Sequence, residues 1–237
     1  MLNRPRALLL LSLCTVAIAC KEEAAPPLEV PAPAPKEKKS ALSPDETKCK
    51  NNNATACATA GRARIDSEEY ALARPLLEKG CKHGSAEACD DLGWIYDDGL
   101  GIDVDKAKAE EFYGKACDGN FARGCTNQGV MFLSGEGVGK DPAKAAQLFT
   151  KACDAKNWTG CKNLGLRYLT GEGVEKDEQK AKELFEGGCN AEHGASCFDL
   201  AVMYSNGEGM PKNKAKAKTI FARSCEYGHK KACELAK

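Results

Sequence analysis

The 237-residue chain carries no net charge: 34 Lys and Arg balance 34 Asp and Glu. That balance argues against nucleic acid or an anionic membrane surface as the main partner, although local patches remain compatible with it. No apolar run is long enough to cross a bilayer as a helix; the one candidate, Ala7 to Ala19, is too short. No window alternates polar and apolar residues over a strand length, so no sheet is expected. Catalytic signatures are missing as well. There is no S-x-x-K, S-D-N or K-T-G, no G-x-S-x-G and no H-E-x-x-H. Histidine is scarce. His83, His193 and His229 all fall in short turns between cysteines, with no matching ligand set, so neither a metal nor a cofactor is expected. Gly135-Glu136-Gly137-Val138-Gly139 looks like a phosphate loop, but no strand precedes it.

What the chain does have is cysteine, 14 residues of it. Arg4 and Arg6 precede the apolar run, and Ala17-Ile18-Ala19 precedes Cys20, so residues 1–19 read as a signal peptide. Ala17-x-Ala19 fits an ordinary cleavage site. The same residues resemble a bacterial lipobox before an acylated cysteine, although Ala17 stands where Leu is usual. Cys14 leaves with the leader and twelve further cysteines form pairs, so Cys20 is left over. An odd cysteine in an exported chain needs a reason, and lipidation of Cys20 supplies one, with a freely secreted form as the alternative. Residues 20–44 contain Pro26, Pro27, Pro31, Pro33, Pro35 and Pro44 among Ala, Lys and Glu. This composition cannot bury a core and reads as an extended tether of at most roughly 75 Å, at about 3.1 Å per residue.

From residue 45 to 237 the chain repeats. Cys81, Cys117, Cys153, Cys189 and Cys225 stand 36 residues apart, as do Cys89, Cys125, Cys161, Cys197 and Cys233. Cys49 and Cys57 form an earlier pair with the same internal spacing. A fixed period of this size signals a solenoid. The units run at about 49–80, 81–116, 117–152, 153–188 and 189–224, with a cap over 225–237. Each full unit holds a G-x-G: Gly99/Gly101, Gly135/Gly137, Gly171/Gly173 and Gly207/Gly209. Asp105, Asp141, Asp177 and Asn213 follow as N-caps of one helix, with Ala109, Phe112 and Ala116 marking its apolar face. The other helix carries Leu164, Gly165 and Tyr168 and ends at the glycine turn. The fold class is therefore all-α, a row of helix–turn–helix units.

The first cysteine of each pair ends one helix and the second lies just inside the next. A short turn between them brings the two to bridging distance. The expected bridges are Cys49–Cys57, Cys81–Cys89, Cys117–Cys125, Cys153–Cys161, Cys189–Cys197 and Cys225–Cys233. Zinc sites usually place paired ligands two to four residues apart, and export favours oxidation, so the pairs read as disulfides rather than metal ligands.

Leu164-Gly165-x-x-Tyr168, Gly171-x-Gly173, Asp177, Lys180-Ala181 and Leu184-Phe185 resemble the SEL-one-like subclass of tetratricopeptide repeats. With the paired cysteines, the chain looks most like the cysteine-rich branch known from Helicobacter cysteine-rich proteins. The resemblance covers about Cys49 to Lys237. It implies a right-handed α/α superhelical solenoid that binds protein or peptide on its concave face. It also implies an alternative, a β-lactamase or penicillin-binding protein, for which no catalytic apparatus is legible.

One stripe of the first helix avoids the core positions. Asp91, Asn127, Asn163 and Asp199 share its register, with Arg123 and Thr159 one turn before and Ile95, Met131, Arg167 and Met203 one turn after. The resemblance places this stripe on the concave face, where Asn127 and Asn163 would hold a partner's backbone and Arg167 a carboxylate. Trp94 is expected to pack between helices, and Trp158 either packs or anchors a partner. The expected protein is a cell-envelope adaptor that meets the membrane only through its lipid anchor and has no nucleic-acid partner.

Overall fold

The computed structural model describes residues 43–237, and these are helical throughout. The signal peptide, Cys20 and nearly all of the tether lie outside the described residues. Twelve helices follow in order: α1 (Pro44–Lys50), α2 (Ala54–Asp66), α3 (Tyr70–Lys82), α4 (Ala86–Asp98), α5 (Lys106–Asp118), α6 (Ala122–Ser134), α7 (Pro142–Asp154), α8 (Trp158–Thr170), α9 (Glu178–Asn190), α10 (Gly194–Asn206), α11 (Lys214–Glu226) and α12 (Lys230–Leu235). None of them is long and apolar enough to cross a membrane.

Local chemistry sets the ends. Ser43 and Glu46 form a reciprocal capping box at the start of α1. Asp105, Asp141, Asp177 and Asn213 each accept a backbone N–H at the start of an odd-numbered helix. The first glycine of each G-x-G closes the preceding helix in the left-handed region, at φ between 68° and 82° for Gly99, Gly135, Gly171 and Gly207. The second glycine meets the previous unit. A Cβ on Gly173 would lie 2.1 Å from the carbonyl oxygen of Pro142, and one on Gly137 would lie 2.2 Å from Lys106 Cβ. These glycines are needed for stacking as well as for turning.

Each helix packs on its sequence neighbours, and α2, α4, α6, α8 and α10 also touch one another in succession. Apart from α1 and α3, the odd-numbered helices make no comparable contact. The even-numbered helices therefore form the tighter, inner row of the solenoid, and the odd-numbered ones the outer row.

A notch-and-ring contact joins the rows. Gly93, Gly129 and Gly165 leave notches filled by the rings of Tyr113, Phe149 and Phe185, and a Cβ at each would come within 2.5–2.6 Å of the ring. Here the sequence expectation needs correction. The buried ring positions are Tyr113 and Phe149, at 2% and 0% exposure, whereas Phe112, expected in the core, is only partly buried, as is its counterpart Leu148. The notch decides this, because a flat ring fills it without displacing the neighbouring backbone.

A second recurring contact closes each glycine turn. The Lys108, Lys144, Lys180 and Lys216 amines sit 5.0, 3.8, 5.2 and 4.2 Å from the ring centres of Tyr96, Phe132, Tyr168 and Tyr204.

All six cysteine pairs are bridged, with Cα–Cα distances of 4.5–4.7 Å. Each bridge ties the last turn of an outer helix to the first turn of the next inner helix. Six structural disulfides place the folded chain in an oxidising compartment, outside the cytosol.

Candidate binding face

The inner row presents the stripe found in the sequence, and its two halves differ. On α2, α4 and α6 the polar groups bind one another. Asp90 and Asp91 are 1% and 0% exposed, a costly placement for two adjacent carboxylates. Two guanidiniums compensate. Arg62 from α2 pairs with Asp91, and Arg123 from α6 pairs with Asp90 and reaches Asp91 Oδ1 at 2.7 Å. Asn127 donates its side-chain N–H to Asp90 Oδ1 at 3.0 Å. The cluster ties three successive inner helices together.

Burial pushes the Asp91 carboxyl up to about 6, against the pull of Arg62 and Arg123. Burial also raises Asp90, against Arg123. Asp91 Oδ2 is buried without a hydrogen-bond partner. Arg62, Asp90, Trp94, Arg123 and Asn127 line a groove of about 290 Å³. Trp94 donates its indole N–H to Asp98 at 2.6 Å, so it faces this groove rather than packing wholly between helices.

On α8 and α10 the stripe is unspent. Among the described residues, Asn163 and Asp199 are half-buried and neither side chain makes a hydrogen bond. Burial pushes Asp199 up to about 6, with only the more distant charge of Lys162 opposing it. Arg167 stands where other units bury Ile95, Met131 and Met203 at 4% exposure or less. Its side chain is 12% exposed and pairs with Glu172 of its own glycine turn at 3.2 Å, while Nε finds no partner.

Apolar side chains run alongside in the 36-residue register. Val130 is 45% exposed, and Leu166 and Val202 are partly buried. Trp158 lies against Gly187 and Gly188 of α9, with ring atoms 3.5 and 3.7 Å from where a Cβ would stand. It therefore packs on the outer row.

The six candidate residues thus separate. Asp91, Arg123 and Asn127 meet in one internal network, and Asp91 is too deep to touch a partner. Asn163, Arg167 and Asp199 remain available. Arg62, at the Trp94 position of the shortened first unit, was missed from sequence because four fewer residues displace it from the 36-residue count. The histidines stay apart. His193 bonds Ser196 at 2.8 Å, His229 stacks on Phe198 at 4.3 Å, and His83 is exposed. Among the described residues no serine hydroxyl is hydrogen-bonded to a lysine amine, and Ser196, the partner of His193, is fully buried.

Residues 86–121, 122–157, 159–193 and 194–229 each match the Sel1 repeat. The chain belongs to the Sel1 repeat family. A Sel1 repeat protein from Oxalobacter formigenes is similar, at 25% identity and a TM-score of 0.75 over 82% of this chain and 78% of that one. A protective antigen of uropathogenic Escherichia coli with the same fold is 25% identical, with a TM-score of 0.71, over 79% of this chain and 41% of its own. Helicobacter pylori cysteine-rich protein B is 31% identical over 57% of this chain and 98% of its own, at a TM-score of 0.45. No curated protein matches. The matched Sel1 segments begin at the start of α4, α6 and α10 and one residue into α8, and each runs through the following cysteine turn.

Proposed function

We propose that this Sel1 repeat chain is an extracytoplasmic adaptor that grips an extended segment of a protein on the inner face of α6, α8 and α10. Sel1 repeats serve as interaction scaffolds, and the family sets this class of function. The observation that carries the finer reading is the unspent stripe. Asn163 and Asp199 share one register without a side-chain hydrogen bond, and one turn after Asn163 the buried Arg167 Nε lacks a partner, beside exposed Val130 and partly buried Leu166 and Val202. An extended backbone supplies donors and acceptors for Asn163, cationic groups suit Asp199, and apolar side chains suit the valine–leucine row. The network on α2, α4 and α6 holds the adjoining part of the face rigid, which lowers the ordering cost of binding. In this reading residues 1–19 are the leader, lipidated Cys20 is the anchor, and residues 20–44 are a tether that holds the repeat units of residues 45–237 off the membrane.

In-cell crosslinking followed by mass spectrometry tests it. Asn163→Ala/Asp199→Asn should lose the partners that the parent chain captures while keeping its thermal melting profile. Unchanged capture by a folded variant would sink the inner-face reading.

A further inference from the structure

The balanced charge of the whole chain conceals a strong local imbalance. From Lys212 onward there are eight basic side chains (Lys212, Lys214, Lys216, Lys218, Arg223, Lys230, Lys231 and Lys237) against Glu226 and Glu234, a local charge of +6. All seven lysines are exposed. Among the described residues every ion pair lies in earlier units, so none of these cations pairs with an Asp or Glu side chain. The preceding outer helix differs: on α9, Lys180 pairs with Asp177 and Lys182 with Glu186.

The arrangement on α11 is as informative as the count. Ala217, Ile220, Phe221 and Ser224 are its buried face. Opposite them runs a low ridge of Ala215, Thr219 and Ala222, which ends at the exposed Glu226 in the last turn. At 100° per residue, Lys214 and Lys218 flank this ridge on one side and Lys216 and Arg223 on the other. Lys218 also donates to the carbonyl oxygen of Lys237, which draws that residue onto the same side. The Cys225–Cys233 bridge fixes α12, with Lys230 and Lys231 in its first turn, against α11. As far as Ala222, a ridge of small side chains between rows of exposed cations, of which Lys216 leans on Tyr204, fits a broad planar anionic surface better than a narrow chain. Lysine, a mobile point charge without arginine's bidentate fork, suits phosphate headgroups spread over such a surface.

We propose that α11, with the first turn of α12, is a docking face for the phosphate headgroups of an anionic lipid bilayer. The docking is independent of the inner-face reading, because the lysines of α11 lie on the outer row.

Cosedimentation of the full chain with vesicles tests this. Phosphatidylcholine vesicles are compared with vesicles in which about one third of the lipid is phosphatidylglycerol. Any acyl anchor partitions into both, so the difference isolates the headgroup effect. Each lysine at an anionic surface strengthens partitioning about fivefold. Lys214→Ala/Lys218→Ala/Lys230→Ala/Lys231→Ala should therefore weaken binding to the anionic vesicles by nearly three orders of magnitude and leave the neutral ones unchanged. Raised salt should abolish the preference. Asn163→Ala/Asp199→Asn should partition like the parent chain, so failure of the inner-face reading leaves this test standing. Equal binding to both vesicle types would overturn the proposal. So would an unaffected lysine variant, or binding to a soluble polyanion such as DNA without binding to vesicles.

Discussion

Gly171 and Gly173 offer a test of why each glycine turn has two glycines. They flank Glu172 in one turn and have φ of 74° and 83°. By backbone conformation alone, alanine at either position costs about 1 kcal/mol. The surroundings differ. A Cβ on Gly171 would meet nothing closer than 3.4 Å, the side chain of Lys176. A Cβ on Gly173 would stand 2.1 Å from the Pro142 carbonyl oxygen and 2.9 Å from Ala143 N, both main-chain atoms of the previous unit's outer helix. A helical backbone cannot rotate aside, so the two units must separate, which adds about 1–3 kcal/mol of overpacking. Gly171→Ala should therefore lose about 1 kcal/mol and Gly173→Ala about 3 kcal/mol. Gly139→Ala, with open space around its Cβ and no positive φ, should be near neutral. Urea unfolding of the oxidised proteins, followed by far-ultraviolet circular dichroism, reads all three from the shift in midpoint at fixed slope. A falling slope in Gly173→Ala alone would show the units uncoupling, as expected when one interface of a linear array weakens. Equal losses for Gly171→Ala and Gly173→Ala would refute the stacking argument.

Two further outcomes follow from buried groups. Asp91 titrates at about 6 in the folded chain against an ordinary value of 3.8, so the folded state holds this proton more tightly. The resulting stability is present below about pH 4 and lost as pH rises through 6, at most about 3 kcal/mol. Asp91→Asn should remove that slope from unfolding free energies measured between pH 4 and 7, leaving the part due to Asp199, also raised to about 6. An unchanged slope would show that burial of Asp91 is not its source. Cys117→Ala/Cys125→Ala opens a nine-residue loop and should cost about 2–3 kcal/mol. A wild-type midpoint that does not move when all six bridges are reduced would contradict it.

The fold was legible because cysteine, glycine and capping residues recur without a gap at one spacing. The class, the N-caps from Asp105 to Asn213 and five of the six bridging pairs follow from that register, and Cys49–Cys57 follows from the same internal spacing. What escaped was whatever depends on a neighbouring helix. Phe112 and Tyr113 are adjacent and both suit an apolar face; only the notch at Gly93 decides that Tyr113 enters the core. The cysteine turns hide a second requirement for positive φ. Asn120, Lys156 and Glu192 take it at 61–62°, where the sequence shows no glycine to signal it. The sequence also marked Asp91 and Asp199 as equivalent, since both are aspartates in one stripe. Their difference lies in Arg62 and Arg123, which arrive from flanking helices and engage only Asp91.

That difference bears on how a repeat array acquires a site. Identical units stack with identical contacts, so a binding position must arise where a unit departs from the pattern. Two departures meet on α8 and α10. Arg167 replaces a buried Ile or Met with a cation that its own turn only partly satisfies. Asp199 keeps a half-buried carboxylate but has no arginine to compensate it. Each alone is a destabilising choice for a structural repeat, since a desolvated polar group without a partner costs about 1–3 kcal/mol. On α4 the same cost is partly offset within the molecule, by guanidiniums from both sides. On α8 and α10 no side chain of the described residues supplies that compensation, and under the proposed function a bound segment carrying a cation and a free main chain would.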